Sequence, residues 1–168
     1  MTLTDVNALS TGDFVAAFGG VAEHTAWVAE RAEAARPYAS VDAMVAAFQA
    51  AILQAGEDEK TALLRAHPDL AGRAAVAGRL TRESAREQSG AGLGGLSEEE
   101  FARFTALNQA YRARFEIPFI LAVKGAGKTQ ILEAFENRVG GTVAEERLTA
   151  LAQVLRIVRF RLVEQVAP

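Results

Sequence analysis

Ser97-Glu98-Glu99-Glu100, followed by Phe101, Phe104, Leu107, Asn108, Tyr111 and Phe115, reads as one long helix from its cap to its inward face. The Ser97 hydroxyl is placed to accept from the amide three residues on, Glu100 reaches back, and the residues after it recur at the spacing of a single helix face. Pro118 ends this helix. Downstream, Phe119 to Val123 is a short apolar segment predicted to be extended, and Lys128 or Thr129 opens a helix carrying Ile131, Leu132 and Phe135 as far as Gly140-Gly141. Thr142 with Glu145 forms a second capping box. Beyond it Leu148, Leu151, Leu155, Val158 and Leu162 predict the buried stripe of a long last helix.

The same punctuation runs upstream. Thr81 is an N-cap for a helix through Gln88, which the glycines at 90, 92, 94 and 95 terminate. Ser40-Val41-Asp42 begins a helix with Met44, Val45, Phe48, Ile52 and Leu53 on its apolar stripe, and Glu57 to Ala66 continues after Gly56. Thr11-Gly12-Asp13 opens a helix carrying Phe14 and Phe18 that Gly19-Gly20 ends, and another holds Trp27 and Val28 before Pro37. Runs of β-branched residues are short. The class is all-α, a single-domain bundle of about eight helices over residues 1–168, given typical helix lengths.

With 50% hydrophobic residues, 23% charged residues and a net charge of -3, the chain reads as an ordinary globular protein. Eighteen Lys and Arg against 21 Asp and Glu, with no basic run interleaved with aromatics, argue against a nucleic-acid partner. No segment is long and apolar enough to suggest a membrane span. The absence of cysteine removes disulfides, thiol catalysis and zinc-thiolate sites together. The N-terminus lacks the basic and apolar regions of a signal peptide, so the expected location is cytoplasmic.

Proton-transfer groups are scarce, since the chain has two histidines. Pro68 disfavours the α conformation in His67, which therefore belongs where the preceding helix stops, its side chain free to meet a ligand. His-Pro is also an ordinary helix stop. In Ser84-Ala85-Arg86-Glu87-Gln88 the hydroxyl, carboxylate and amide of Ser84, Glu87 and Gln88 share one helix face, able either to hydrogen-bond a small molecule rich in N–H and C=O groups or to lie in solvent. His24, in an aromatic-rich helix start, is expected to be a structural histidine with satisfied hydrogen bonds. Gly125-Ala126-Gly127-Lys128-Thr129 imitates a phosphate-binding loop, but Ala122 stands where the first glycine is required, which leaves a helix N-terminus with some affinity for anions. Arg161 is either solvated or, facing a cavity, a clamp for a carboxylate.

Four segments in order, Val21-Ala22-Glu23-His24-Thr25-Ala26-Trp27-Val28-Ala29, His67-Pro68-Asp69-Leu70, Ser84-Ala85-Arg86-Glu87-Gln88 and Ile117-Pro118-Phe119-Ile120, with Arg138 and the arginine-rich last helix, carry a resemblance over nearly the whole chain. It resembles the 2-oxo-4-hydroxy-4-carboxy-5-ureidoimidazoline (OHCU) decarboxylase family, which yields (S)-allantoin and carbon dioxide in urate breakdown. The resemblance implies an all-α homodimer acting on a small ureidoimidazoline without cofactor or metal. It implies His67 as the catalytic residue, assisted by Glu87. Around the substrate it implies Pro68, the face Ser84, Ala85, Arg86, Glu87 and Gln88, the backbone of Phe119, Ile120, Leu121, Ala122 and Val123, and Arg161. The chain departs from the family at Ala26, often a proline there, and in the glycine-rich stretch 125–128. Two other readings suit the same residues: a helical module that binds ureido ligands without turnover, and a partner-binding bundle in which His67 merely ends a helix. Nucleotide hydrolysis is disfavoured by the broken phosphate loop.

Overall fold

The computed structural model describes residues 1–72 and 78–167. Among them are nine α-helices: α1 Leu3–Ala8, α2 Thr11–Phe18, α3 Trp27–Glu33, α4 Val41–Leu53, α5 Glu57–Ala66, α6 Arg82–Gly90, α7 Glu98–Phe115, α8 Lys128–Val139 and α9 Val143–Gln165. A 3-10 turn at Leu93–Gly95 precedes α7. The described residues contain no strand; an isolated bridge joins Thr2 and Ala167. No described helix is long and apolar enough to cross a membrane. The all-α reading therefore holds.

The helices belong to two compact units, one of Met1–Ala66 with the residues from Val154 onward, the other of His67–Gln153, and α9 contributes to both. In the first unit Phe14 is the centre of an aromatic cluster, with ring centroids 4.9 Å from Phe18, 6.1 Å from Phe48 and 6.2 Å from Tyr38. The Arg36 guanidinium lies 4.8 Å from the Phe14 ring and donates to the carbonyl of Leu9 at 2.6 Å. Trp27, at the start of α3, carries the Arg31 guanidinium 4.5 Å from its ring. In the second unit Phe119 stacks on Phe135 at 3.8 Å and 10°, and Tyr111 meets both edge-on at 5.4 and 5.8 Å.

Local signals placed most helix ends. Ser40 caps α4, Thr81 caps α6, Ser97 and Glu100 form the reciprocal box of α7, and Thr142 with Glu145 does the same before α9. The segment 117–123 is neither helical nor paired with a strand. Helix α1, not expected from the sequence, is held by a box between Thr2 and Asp5 and buries only Val6, too little for periodicity to reveal.

Three stripe positions are corrected. Leu148 is 71% exposed, Leu53 51% and Phe101 39%. On α9 the buried positions are Glu146, Ala150, Val154, Ile157, Val158, Arg161 and Leu162, so two charged residues occupy the inward face that an apolar pattern alone would not assign to them. Phe101 instead borders a recess of about 330 Å³ with Ala71, Leu93 and Leu96.

Tyr38 and Tyr111 are the only tyrosines, and burial pushes both phenols well above their ordinary value, the Glu146 carboxylate adding to the effect at Tyr111. A raised folded value means that the folded state keeps these protons where the unfolded chain has released them. Stability is thus undiminished by these groups below about pH 10 and falls as pH rises beyond it. An alkaline titration followed by tyrosinate absorbance is expected to show no phenolate in the folded chain near ~pH 10, with ionisation coinciding with loss of helical circular dichroism.

Candidate active site

Helix α5 ends at Ala66, and His67 follows it as the sequence predicts, 4% exposed and outside the helix. Its imidazole Nε2 is buried with no hydrogen bond among the described residues, while the residue keeps another interaction. The loop from His67 to Gly72 is irregular, with His67, Leu70 and Ala71 buried and the rest partly so, and its peptide groups must find partners outside regular structure. Gln88 supplies two: its Oε1 accepts from the Ala71 amide at 2.9 Å and its Nε2 donates to the Asp69 carbonyl at 3.3 Å. Asn108 Nδ2 donates to the Leu70 carbonyl at 2.9 Å, and Arg112 Nε donates to the Asp69 carboxylate at 2.8 Å. Ala71 is held at φ 51°, a left-handed conformation unusual for alanine. Beside it a Cβ on Gly72 would stand 2.6 Å from Cβ of Asp69, so glycine is required for the chain to leave the loop.

Burial on α6 follows helical geometry. Ser84 and Gln88 face inward, Glu87 is half-buried, and Ala85 and Arg86 are exposed. The structure thereby brings Gln88 against the loop that begins at His67.

The segment Phe119 to Val123 is fixed separately. Arg138 Nη1 donates to the Ile120 carbonyl at 2.8 Å, and its guanidinium lies 4.5 Å from the Phe119 ring. The Ala122 amide donates to Gln153 Oε1 at 3.0 Å. Phe119, Ile120, Ala122 and Val123 are buried, Leu121 and Pro68 intermediate and Pro118 buried. Arg138 is itself held by the Glu146 carboxylate, its Nε donating at 3.0 Å, and Glu146 also accepts from the Tyr111 hydroxyl.

Arg161 lies in the other unit, 3% exposed. Its Nη2 donates to the buried Glu23 carboxylate at 2.8 Å and its Nη1 to the Val21 carbonyl at 3.2 Å. It thus clamps a carboxylate of the chain itself. Glu23 adopts φ 57°, and the Thr25 hydroxyl donates to the Ala22 carbonyl in the same turn. His24 is exposed, which corrects the expectation of a buried structural histidine; only its neighbours Glu23 and Thr25 turn inward. At the glycine-rich stretch Gly127 caps α8, Gln130 accepts from its amide at 3.0 Å, and Lys128 pairs with Glu100 at 2.6 Å. A larger groove, of about 670 Å³ beside α3 and α4, contains none of the predicted site residues.

Residues 7–163 match the sequence profile of the family described as OHCU decarboxylase. The chain belongs to that family. It is 42% identical over 165 residues to the 2-oxo-4-hydroxy-4-carboxy-5-ureidoimidazoline decarboxylase of Haloferax volcanii, covering 98% of this chain and 96% of that one. The crystal structure of an (S)-allantoin synthase aligns with a TM-score of 0.81 and 31% identity, over 99% of this chain and 54% of that protein. A crystal structure of an OHCU decarboxylase in the presence of (S)-allantoin shares the fold, with a TM-score of 0.72 and 17% identity over 88% of this chain and 95% of that one.

Within this member of the OHCU decarboxylase family, four supporting side chains escaped the sequence reading as site residues: Asn108, Arg112, Glu146 and Gln153. Asn108 left a trace, being a polar residue between Phe104 and Tyr111 on a buried aromatic face, and so did Glu146, a charge one turn before the buried Ala150. Arg112 and Gln153 left none, because only the folded chain shows what they touch.

The Arg138–Glu146 pair is buried on its acidic side, and removing the guanidinium strands a carboxylate in the interior. Arg138→Leu is expected to cost about 3–5 kcal/mol in urea denaturation, the range for breaking buried pairs. A loss below about 1 kcal/mol, the range of surface pairs, would show that Glu146 is solvated or repaired by another group.

Proposed function

We propose that this protein decarboxylates 2-oxo-4-hydroxy-4-carboxy-5-ureidoimidazoline stereoselectively to (S)-allantoin and carbon dioxide in urate breakdown, without a cofactor. Family membership supports the reaction class. The observation that carries the assignment to particular residues is the buried His67, set just beyond α5 on a loop whose backbone Gln88 holds at two points.

The bond to the carboxylate breaks and carbon dioxide leaves. The electron pair passes into the adjoining ring carbon and nitrogen, giving an enol-like intermediate while the nitrogen takes a proton. His67, assisted by Glu87, accepts the hydroxyl proton, and the carbon bearing the ureido group is protonated from one face, so that one proton is consumed overall. That single-faced delivery sets the S configuration. Ser84, Gln88 and the neighbouring Pro68, Ala85 and Arg86 define the pocket wall on this reading, and the backbone of Phe119, Ile120, Leu121, Ala122 and Val123 meets the ureido and ring amides. Arg161, steadied by Glu23, carries the role of orienting substrate charge. The protein is further proposed to be a cytoplasmic homodimer, a state that light scattering in solution measures directly.

The test generates the unstable substrate from urate with the upstream enzymes and follows carbon dioxide release and optical rotation against spontaneous, racemic decay. Faster release with accumulation of (S)-allantoin is expected. His67→Asn is expected to lower turnover by about 10²–10⁴-fold, the usual span for a general acid–base group, with helical circular dichroism unchanged. An unchanged racemic rate with the natural chain would sink the decarboxylase reading, and full turnover in the variant would remove His67 from the mechanism.

A further inference from the structure

The buried backbone between His67 and Gly72 has three consecutive residues whose peptide groups are met by side chains rather than by a helix. Gln88 meets Asp69 and Ala71; the Leu70 carbonyl between them is met from α7, by Asn108. Asn108 sits on the aromatic face of α7, with Phe104 one turn before it and Tyr111 one turn after, and is 6% exposed. Its Oδ1 is buried and has no hydrogen-bond partner among the described residues. A half-satisfied amide among aromatic rings is a poor device for stability, because an orphaned buried acceptor costs at least as much as one neutral hydrogen bond returns. What the amide does achieve is geometric. Leu70 is pinned between two residues that Gln88 already holds, next to an alanine kept in a left-handed conformation that persists only where its surroundings over-determine it.

We infer that Asn108 is a positioning residue that fixes the Leu70 carbonyl and, through the short loop back to Pro68, the direction of the His67 imidazole; this role rests on the decarboxylase reading above. Only Pro68 and Asp69 stand between Leu70 and His67, and Asp69 is itself held by Gln88 and Arg112, so a displaced Leu70 carries along this short stretch to His67. Misplacement of a catalytic group by about 1 Å costs up to 10²-fold in rate.

Two variants of the full chain test this. Asn108→Leu removes the donor, and Asn108→Asp keeps the size while replacing the donor with a charged acceptor. Both are expected to lower kcat about 10–100-fold with little change in KM; Asn108→Leu, which exchanges one orphaned acceptor for another, is expected to leave the thermal midpoint nearly in place, whereas the buried charge of Asn108→Asp lowers it at neutral pH, so that variant is compared within its folded fraction. At fixed pH the His67 ring resonance is expected to move in the NMR spectrum, while that of the exposed His24 in the other unit stays put as an internal reference. Lowering the pH enough to protonate the carboxyl introduced by Asn108→Asp restores a donor toward Leu70, so turnover relative to the natural chain is expected to recover. Gln109→Ala, one position along on the exposed side of α7, is expected to match the natural chain.

Unchanged kcat and an unmoved His67 resonance in both variants overturn the inference. So does a loss of activity that merely tracks unfolding, with the His67 resonance unmoved in the folded fraction. If the natural chain itself fails to accelerate the reaction, the decarboxylase reading falls, and the His67 resonance alone then decides whether Asn108 positions that ring.

Discussion

A carboxylate in the interior has to be answered, and in residues 67–153 much of the arrangement follows from the answer given to Glu146. Arg138 and Tyr111 both donate to it. Once committed to Glu146, the Arg138 guanidinium has one edge left for the Ile120 carbonyl and one face over Phe119, whose other side stacks on Phe135. Replacing such a pair by apolar side chains is often neutral or favourable for stability, so its contribution here is better sought in placement than in free energy. The irregular segment 117–123 keeps its position because a charge network holds its backbone.

The His67 loop solves the same problem without charge. A helix satisfies its own peptide groups, but the chain that leaves α5 at a proline cannot, and two carboxamides, Gln88 and Asn108, each reach in from a separate helix to meet them. In both places an interruption of helix is held by side chains from well-formed helices. Rigid elements thereby lend precision to irregular ones, the condition under which a reactive side chain keeps its aim.

This division explains what could be read from the sequence. Caps are local chemistry, so α4, α5 and α7 begin where Ser40, Gly56 and Ser97 place them. His67 was legible because proline restricts its predecessor, and Ser84 with Gln88 because the spacing of four puts both on one face. The last helix misled because its inward face carries Glu146 and Arg161; counting apolar residues turned the stripe toward Leu148, which is exposed. Those two charges make sense only beside Arg138, on the preceding helix, and Glu23, near the other end of the sequence. The same holds for Asn108 and Gln153, whose partners are peptide groups of remote loops, and a backbone carbonyl leaves no signature in the residue type that bears it.

The aromatic inventory of the two units is unequal in a way that matters for anyone watching the chain unfold. Its sole tryptophan, Trp27 under the Arg31 guanidinium, lies in the unit formed by Met1–Ala66 and the end of α9, as does Tyr38; the unit containing His67 holds Tyr111 and phenylalanines but no tryptophan. Tryptophan emission is therefore a local reporter. A loosening confined to residues 67–153 would be silent in it, and coincidence of emission with helical circular dichroism becomes the condition for treating the molecule as a single cooperative system.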